Sequence, residues 1–599
     1  MFSGTPGDLA GVGAEVILLA FYGSLYDLIR AEADWLRTTF PDLHQELVPP
    51  LIWNAVSNLK NPLPVSNVFV SSSAPDSLET VKSIANRLFD VAHASVTGSA
   101  RITRLFVPDD LSEKLQDLVP EKDVVLTDSI IKAVSELLSP FRSFWKSTSQ
   151  VAIREARTSV SAIELPSTRG STSAQTAPMS HPSSPPSSRR FRPTFSEVAK
   201  DIEACTAGVL SALDVLLTRL NRQTCGAGIG PMKQASNTIA SVLSDRLLKV
   251  LRLPAPPTGT GEDEWTEVGG ALRLLIASSS LKRSWESRKE SLYAVAVGTA
   301  TPVLEVATAL KGNLFERIKQ FISQSESENP IEAAVVWELV RDEKLTAKIV
   351  TDFESLDSAQ DYDQLLSVVH RVVYETMFDG VKARFASFNT SELWNSATSD
   401  GEVSMLGFSS SPLGYATEVA DYLMTIPQQL EPFVPDEEDA KYATPRSPYV
   451  FSANSPGSQQ TSRRGRIGRP RESTSGEVGG QEAGEELSGE EGITNMSFAG
   501  VWISVLAISA MELYVEKICS IQKVNEAGAK QLATDADYIC NVIASLGVAP
   551  TPEMALALRL IECNADTASV KEIASEFVSV EHRKLIRRIA ALRGINVTI

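Results

Sequence analysis

The chain has 599 residues, of which 43% are hydrophobic and 22% are charged, and its 56 Lys and Arg against 74 Asp and Glu give a formal net charge of −18. This composition excludes a wholly disordered chain, because it supplies enough apolar side chains to build large cores. The negative balance also excludes a protein that binds phosphates over its whole surface, although it leaves room for a local basic patch. At ~150 residues per domain, the length corresponds to roughly four domains.

The cysteines are scattered along the chain and form no CxxC pair. Their pattern excludes a disulfide scaffold and a zinc ribbon, and it favours a reducing compartment. The N-terminus lacks the basic start and the apolar run of a secretory signal. The five cysteines are Cys205, Cys225, Cys519, Cys540 and Cys563.

The first predicted region, 1–157, is a helical bundle. Apolar residues recur there at steps of three and four, which is the spacing of one face of an amphipathic helix. Strand signals are sparse, and the main one is the alternating run at 65–71. The two clearest helical sets are Leu18, Tyr22, Leu25 and Ile29, and Val81, Ile84, Leu88 and Val91.

The next segment, 158–195, is predicted to be a disordered linker. Between 158 and 193 it holds 10 Ser, 4 Thr and 6 Pro, which is 20 of 36 residues. Such a segment has too little apolar area to offset the entropy of ordering it. A second helical bundle region is predicted over 196–434, where apolar stripes lie within 210–220, 239–250 and 362–373.

A block near the end of that region predicts a turn followed by a helix. Pro412 and Gly414 suit the turn, and Pro427 ends the helical pattern. Four apolar residues between them step by four, three and four. Their stripe packs either within the core of the protein or against a partner. The four residues are Tyr415, Val419, Tyr422 and Ile426.

Residues 435–495 are predicted to form a second disordered linker, first basic and then acidic. Five arginines lie within 463–471 and six glutamates within 477–491, and separated blocks of opposite charge are typical of solvated segments. The segment 463–471 also resembles an AT-hook, in which arginines enter the minor groove of DNA. Contact with anionic lipid or an acidic partner, and a solvated tether tuned by phosphorylation, are the other two interpretations.

The region 496–599 is predicted to be a C-terminal helical bundle. The uncharged stretch 492–511 is long enough to cross a bilayer, but its serines, glycine and amide favour a buried helix. An apolar stripe over 532–546 runs up to Gly547, which suits a left-handed helix cap. Thr551 suits an N-cap before Pro552, and a last helix stops at Gly594. Taken together, these patterns predict an all-α protein.

No catalytic, cofactor-binding or metal-binding residue is predicted. The histidines lie outside any metal-binding spacing such as HExxH. The glycine-rich run 225–231 follows a helical stripe and lacks the GK[ST] ending of a phosphate loop, so it is interpreted as a turn between helices. The sequence therefore predicts a non-enzymatic protein without cofactors. The histidines are His44, His93, His181, His370 and His582.

Several blocks in the second half resemble the subunit 7 family of the conserved oligomeric Golgi complex. Their order and spacing agree with that family over 411–435 and 498–550, and upstream of them only the helical character agrees. The family usually carries a helical, coiled-coil-like N-terminal region, and this chain is expected to begin after it. The blocks are Ser411–Ala416, Asp421–Met424, Gln429–Val434, Ala529–Tyr538 and Val542–Pro550.

The resemblance implies a fold, a function and a set of partners. The fold would be an elongated all-α rod of packed helical hairpins and bundles, as in multisubunit tethering complexes. The function would be that of a non-enzymatic subunit of the Golgi vesicle tether, in intra-Golgi retrograde transport and thereby in maintenance of glycosylation.

The expected partners are other subunits of the complex, especially subunits 5, 6 and 8, together with SNAREs and Rab GTPases. Peripheral association with the cytosolic face of the Golgi membrane is expected through the complex, and no nucleic acid is expected. The alternative is a helical nuclear or chromatin-associated protein that uses the AT-hook-like segment 463–471.

Overall fold

The structure is a computed structural model, and the part of the chain that it describes is helical. The described residues contain no strand, so the predicted all-α fold class is confirmed for them. The strand-like run 65–71 lies outside this part of the chain, and the rod shape stays a prediction. The described residues are 14–42, 77–105, 131–165, 192–254, 264–312, 314–325, 329–354, 362–388, 394, 411–445, 497–577 and 579–597.

The chain divides into two compact units. The first unit comprises Met1–Thr176, Glu203–Val250 and Ser284–Asp363, and the second comprises Ala177–Ile202, Leu251–Arg283 and Gln364–Ile599.

The helices are numbered here in chain order. The earlier ones are α1 (Ala14–Thr39), α2 (Leu78–Arg104), α3 (Ser139–Ala162), α4 (Phe195–Thr224), α5 (Ile229–Leu251), α6 (Glu264–Ala309), α7 (Leu314–Ser325), α8 (Pro330–Arg341) and α9 (Glu343–Glu354). The later ones are α10 (Asp363–Phe385), α11 (Gly414–Leu430), α12 (Glu437–Ala443), α13 (Phe498–Ser520), α14 (Glu526–Ser545), α15 (Pro552–Glu562), α16 (Thr567–Glu576) and α17 (Val580–Leu592). A short 3₁₀ helix, Glu431–Phe433, follows α11.

In the first unit, α2 packs against both α1 and α3. The stripes predicted in α1 and α2 face this core, where they are buried or, at Ile84, packed against it. The Tyr22 hydroxyl of α1 donates to the carbonyl oxygen of Leu137 at 2.9 Å. Its ring lies over Gly98 of α2, where an added Cβ would overlap it. A glycine on α2 therefore sets the close approach of the two helices.

The glycine-rich run 225–231 is a tight turn between α4 and α5, as predicted. Cys225 and Gly226 have φ angles of 49° and 76°, in the left-handed region. A Cβ on Gly226 would overlap the carbonyl oxygen of Ala296. Gly226 is thus required both by its backbone conformation and by the close passage of α6.

In the second unit, α13 is the core helix. It contacts α11, α15 and α17, while α14 packs on α11 and α15. Trp502, Leu506 and Tyr514 on α13 are completely buried. The prediction that this apolar stretch forms a buried helix is confirmed from Phe498 onward.

Two helices of the described part are long and apolar enough to cross a membrane by length and composition, α6 and α13. In α13, 78% of the most apolar stretch is buried inside the protein, as in the core helix of a globular protein; in α6 the share is 28%.

The helix ends predicted for the last hundred residues are confirmed. Gly547 and Gly594 have φ angles of 81° and 73°, and they directly follow Leu546 and Arg593, the C-cap residues of α14 and α17. The Thr551 hydroxyl accepts from the amide of Met554 at 3.2 Å, and Pro552 is the first residue of α15. These caps satisfy backbone groups that the ends of the helices would leave unpaired.

The edges of the two predicted linkers are helical where they are described. Helix α3 continues to Ala162, beyond the predicted boundary at 157, because Val160 is buried in the first unit. Helix α12 lies within the segment predicted as a linker from 435. Both boundaries are corrected by these helices. Residues 166–191 and 446–496 lie outside the described residues, so their linker character stays a prediction.

Candidate functional site

The described histidines do not come together. His93 is exposed on α2, and His370 lies beside the ring of Trp502 with 6.0 Å between ring centroids. His582 is 3.5 Å from the carboxylate of Glu553. Within the described ranges, no group of three or more His, Cys, Asp or Glu side chains has the geometry to hold a metal ion. His44 and His181 lie outside those ranges.

A cavity of about 600 Å³ lies in the first unit, between the turn after α4 and the second half of α6. Its polar lining includes Asn221, Cys225 and Asn329. The Asn329 amide donates to the Cys225 sulfur at 3.4 Å. Burial raises the pKa of the Cys225 thiol to about 11, against the smaller opposite effect of this hydrogen bond. The thiol is therefore protonated at neutral pH and is not an activated nucleophile.

The second unit contains a buried polar site built around the Asp535 carboxylate of α14. Asp535 is completely buried. One of its oxygens accepts from the backbone amide of Leu413 at 2.9 Å and from the Gln531 amide at 2.9 Å. The Gln531 amide also donates to the carbonyl oxygen of Ser411 at 3.0 Å. The Asp535 network is defined as Leu413, Tyr415, Tyr514, Gln531 and Asp535.

Two tyrosine hydroxyls complete the Asp535 network. The Tyr415 hydroxyl donates to the second Asp535 oxygen at 2.6 Å and lies 3.1 Å from the Tyr514 hydroxyl. Since Tyr415 gives its only proton to the carboxylate, Tyr514 is the donor in the tyrosine pair or towards the carbonyl oxygen of Leu532, 3.4 Å away. The network therefore links α11, α13 and α14 through side chains far apart in the sequence.

The electrostatics of the Asp535 network follow from its burial. Burial raises the pKa of Asp535, and the hydrogen bonds from Tyr415, Leu413 and Gln531 oppose that rise. Burial is also the main cause that raises the pKa of Tyr415, followed by the effects of Tyr514 and Asp535. Among the described residues, Asp535 has no ion pair. Its carboxyl group is thus held by neutral donors alone, and these hydrogen bonds fix the positions of the helices that carry them.

Aromatic rings enclose the network. The Phe388 ring lies 5.0 Å from that of Tyr415, edge to face, and the Phe385 ring stacks on that of Tyr514 at 5.7 Å. The predicted stripe of α11 is buried in the same region. Of the two interpretations of that stripe, packing within the core is the one that the structure shows.

Sequence reasoning found part of this site. Leu413, Tyr415, Gln531 and Asp535 all lie in the blocks singled out in the sequence, but their contact was not predicted. Tyr514 was missed. Its only signal is a phenolic residue within a nearly continuous apolar helix, where a buried hydroxyl needs a partner.

The fold and the Asp535 network together define an all-α protein in which two of the segments singled out in the sequence hold helices together. Comparison with known proteins identifies its family. The model of the family Golgi complex component 7 (COG7) matches residues 8–454 and 481–594. The chain therefore belongs to the Golgi complex component 7 family.

Curated relatives agree with this family. The chain is 23% identical over 591 residues to conserved oligomeric Golgi complex subunit 7 of Arabidopsis thaliana, covering 90% of this chain and 62% of that protein. It is 22% identical over 407 residues to subunit 7 of Homo sapiens, covering 65% and 46%. Over a shorter stretch of 96 residues it is 32% identical to subunit 7 of Dictyostelium discoideum, covering 16% and 8%.

The chain spans between 46% and 62% of the length of the first two of these relatives. No solved structure gives a significant match. The family match leaves out residues 455–480, which contain the AT-hook-like arginines. That segment also lies outside the described residues, so the DNA-binding alternative gains no support.

Proposed function

We propose that the chain is a non-enzymatic subunit of the Golgi vesicle-tethering complex and acts in intra-Golgi retrograde transport. The observation that carries this proposal is the family match over nearly the whole chain. The all-α fold agrees with a scaffold role. The buried network supports this role too, because its polar groups hold helices together and are not exposed to a substrate.

The physical work of such a subunit is to raise effective concentration. Once one end of a tether is bound, the fusion machinery on vesicle and target membrane meets at a local concentration set by the reach of the tether. We propose that packed helical faces dock neighbouring subunits, especially subunits 5, 6 and 8, and that SNAREs and Rab GTPases bind the assembled complex. Glycosylation would be maintained indirectly, through the return of recycling glycosyltransferases.

The proposed location is the cytosolic face of the Golgi membrane, where the chain would associate peripherally through the complex. Affinity purification of the tagged chain from its native cell, followed by mass spectrometry, tests the assembly. Recovery of several helical Golgi-complex subunits is expected. Recovery of nuclear proteins without any such subunit would overturn the proposal.

The transport role has its own test in cells that lack their subunit 7. Expression of the chain should restore lectin staining of cell-surface glycans, and a variant that disrupts the Asp535 network, Asp535→Ala, should restore it less well. Asp537→Ala provides the matched control, because Asp537 lies on the same helix but is exposed. Restored assembly without any restored glycan staining would separate complex membership from the transport role and overturn the latter.

A further inference from the structure

Helix α1 carries a large share of the exposed apolar side chains. Eleven large hydrophobic side chains are exposed among the described residues, and five of them lie on α1 or directly after it. Single exposed apolar side chains are common on protein surfaces, whereas a concentration on one helix marks an interaction site. One side of α1 packs on α2, so these five lie where α2 does not cover the helix. They are Val16, Leu19, Leu28, Trp35 and Phe40.

Two of the five belong to a row of large side chains along α1. Leu28 is 60% exposed and Trp35 is 55% exposed. Both follow the half-buried Phe21 at steps of seven residues, and the small, exposed Ser24 and Ala31 lie between them. Large side chains and gaps therefore alternate, as on a helix that receives the side chains of a second helix. The outer face of α1 is defined as Phe21, Ser24, Leu28, Ala31 and Trp35.

The Trp35 side chain has a fixed neighbour. Its ring meets that of Phe40 edge to face, with 6.1 Å between the ring centroids. The backbone amide of Phe40 donates to the carbonyl oxygen of Leu36 at 2.8 Å, and Leu36 is buried. The ring pair is thus anchored to the core while both rings stay exposed. Tryptophan is among the side chains that contribute most to protein interfaces.

Acidic side chains flank the outer face of α1 on both sides. Asp27 directly precedes Leu28 and Glu32 follows it by four residues, so they occupy the two positions that border an apolar row with a seven-residue repeat. Both are exposed, and neither pairs with a cation within the part of the chain that the structure describes. Asp34, the next flanking residue, is near two arginines of α1 at 4.0 and 3.7 Å and is not counted.

These charges distinguish between the possible occupants of the face. A second copy of the chain would bring Glu32 against Asp27 in a parallel pair of helices, and like charges at flanking positions disfavour pairing. An anionic membrane would repel the same carboxylates. The segments 1–13, 43–76 and 106–130, which lie outside the described residues, hold three Lys and no Arg against ten Asp and Glu. They do not supply the cations that the face calls for.

We propose that the outer face of α1 docks an amphipathic helix of another protein, whose apolar row is flanked by Lys or Arg. The apolar side chains of that helix enter the gaps at Ser24 and Ala31, and its cations meet Asp27 and Glu32. The inference deepens the proposed function, on which it rests for placing the partner in a helical assembly. The docking face and the charge of the partner follow from α1 alone.

The test places the photoreactive residue p-benzoylphenylalanine at Ala20 of the full chain, expressed in its native cell. Ala20 is exposed and borders the outer face beside Phe21, so the probe fills neither gap. After irradiation, mass spectrometry identifies the cross-linked peptide. The expected peptide belongs to another protein, has apolar residues at heptad spacing and carries Lys or Arg at the flanking positions.

Paired variants show which side chains the cross-link needs. Leu28→Ala with Trp35→Ala should lower its yield at least about tenfold, because the central anchors are lost. The matched control is Val16→Ala with Leu19→Ala, which removes two exposed apolar side chains of α1 that lie off the outer face and nearer to the probe. It should leave the yield unchanged. Since alanine favours helix and all four side chains except Phe21's neighbours in the core are untouched, folding is preserved.

The charge of the partner is tested separately. Asp27→Lys with Glu32→Lys should lower the yield, whereas Asp27→Glu with Glu32→Asp should preserve it. No cross-link, a cross-link to lipid, to a second copy or to the same chain, an equal loss in the apolar control, or an unchanged yield after charge reversal would overturn the proposal.

Failure of this inference is distinguishable from failure of the proposed function. Recovery of Golgi-complex subunits with the tagged chain, without a cross-link from Ala20, would overturn the docking face alone. A cross-link to a basic amphipathic helix of a protein outside that complex, without recovery of its subunits, would support the docking face and overturn complex membership.

Discussion

Replacing Asp535 by Ala should destabilise the second unit by about 2–4 kcal/mol. Removal of the Asp535 carboxylate does not affect its three hydrogen-bond donors equally. Gln531 keeps its bond to the carbonyl oxygen of Ser411, and Tyr415 can turn its proton to Tyr514 at 3.1 Å. The backbone amide of Leu413 has no such substitute, so its desolvation is the largest loss. An unsatisfied buried donor costs roughly 1–3 kcal/mol, and the weakened bonds of Gln531 and Tyr415 add about 1 kcal/mol.

Urea unfolding of the full chain, followed by circular dichroism and Trp fluorescence, measures this loss as a shift of the transition. Two variants calibrate it. Asp535→Asn keeps an oxygen that accepts from Leu413 and Gln531, so its loss should stay below about 1 kcal/mol. Asp537→Ala alters an exposed carboxylate on the same helix and should change stability by less than about 0.5 kcal/mol. If Asp535→Ala behaved like Asp537→Ala, the network would be open to water and the reasoning would be refuted.

The same unfolding assay checks three further predictions. Because burial raises the pKa of Asp535, its contribution to stability is full below the unfolded value of about 3.9 and is lost as pH rises through the folded value. As pH rises above about 4, the natural chain should therefore lose stability relative to Asp535→Asn, and parallel curves would contradict this. Gly226→Ala, at φ 76° and against α6, should lose more than about 2 kcal/mol, whereas Gly298→Ala, with open space around the added Cβ, should gain up to about 1 kcal/mol; a smaller loss at Gly226 would show that α6 moves aside. Leu532→Ala should lose roughly 2–5 kcal/mol because Leu532 is buried, and a loss well under about 1 kcal/mol would show that its face is exposed.

Periodicity predicted the helix faces that depend on local signals. The stripe of α11 and the caps at Gly547 and Thr551 are visible in the sequence because they depend on neighbours within one or two turns. Helix α6 is different, because it continues through Pro302. A proline inside a helix removes one backbone hydrogen bond and normally kinks or ends the helix. Ala300 and Val303 on either side are buried, so tertiary packing offsets that loss.

Partners of polar groups could not be predicted at all. In the local sequence, Asp535 cannot be distinguished from other acidic residues on a helix, such as the exposed Asp537 two residues later. What distinguishes it is the amide of Leu413, 122 residues earlier in the chain. No single-sequence pattern encodes such a pairing, since it depends on where two helices dock and not on the spacing within either.

The sequence by itself determined that the described chain is helical, which side of several helices is apolar, where the last helices end, and which family the chain resembles. These properties depend on side-chain spacing and on local backbone preferences, and both are present in any short window. Only the tertiary structure decided which side chains meet. It buried the carboxylate of Asp535 among neutral donors, and it brought the hydroxyls of Tyr415 and Tyr514 to 3.1 Å from each other. Both outcomes depend on which helix covers which face, and that is set by packing across the whole unit.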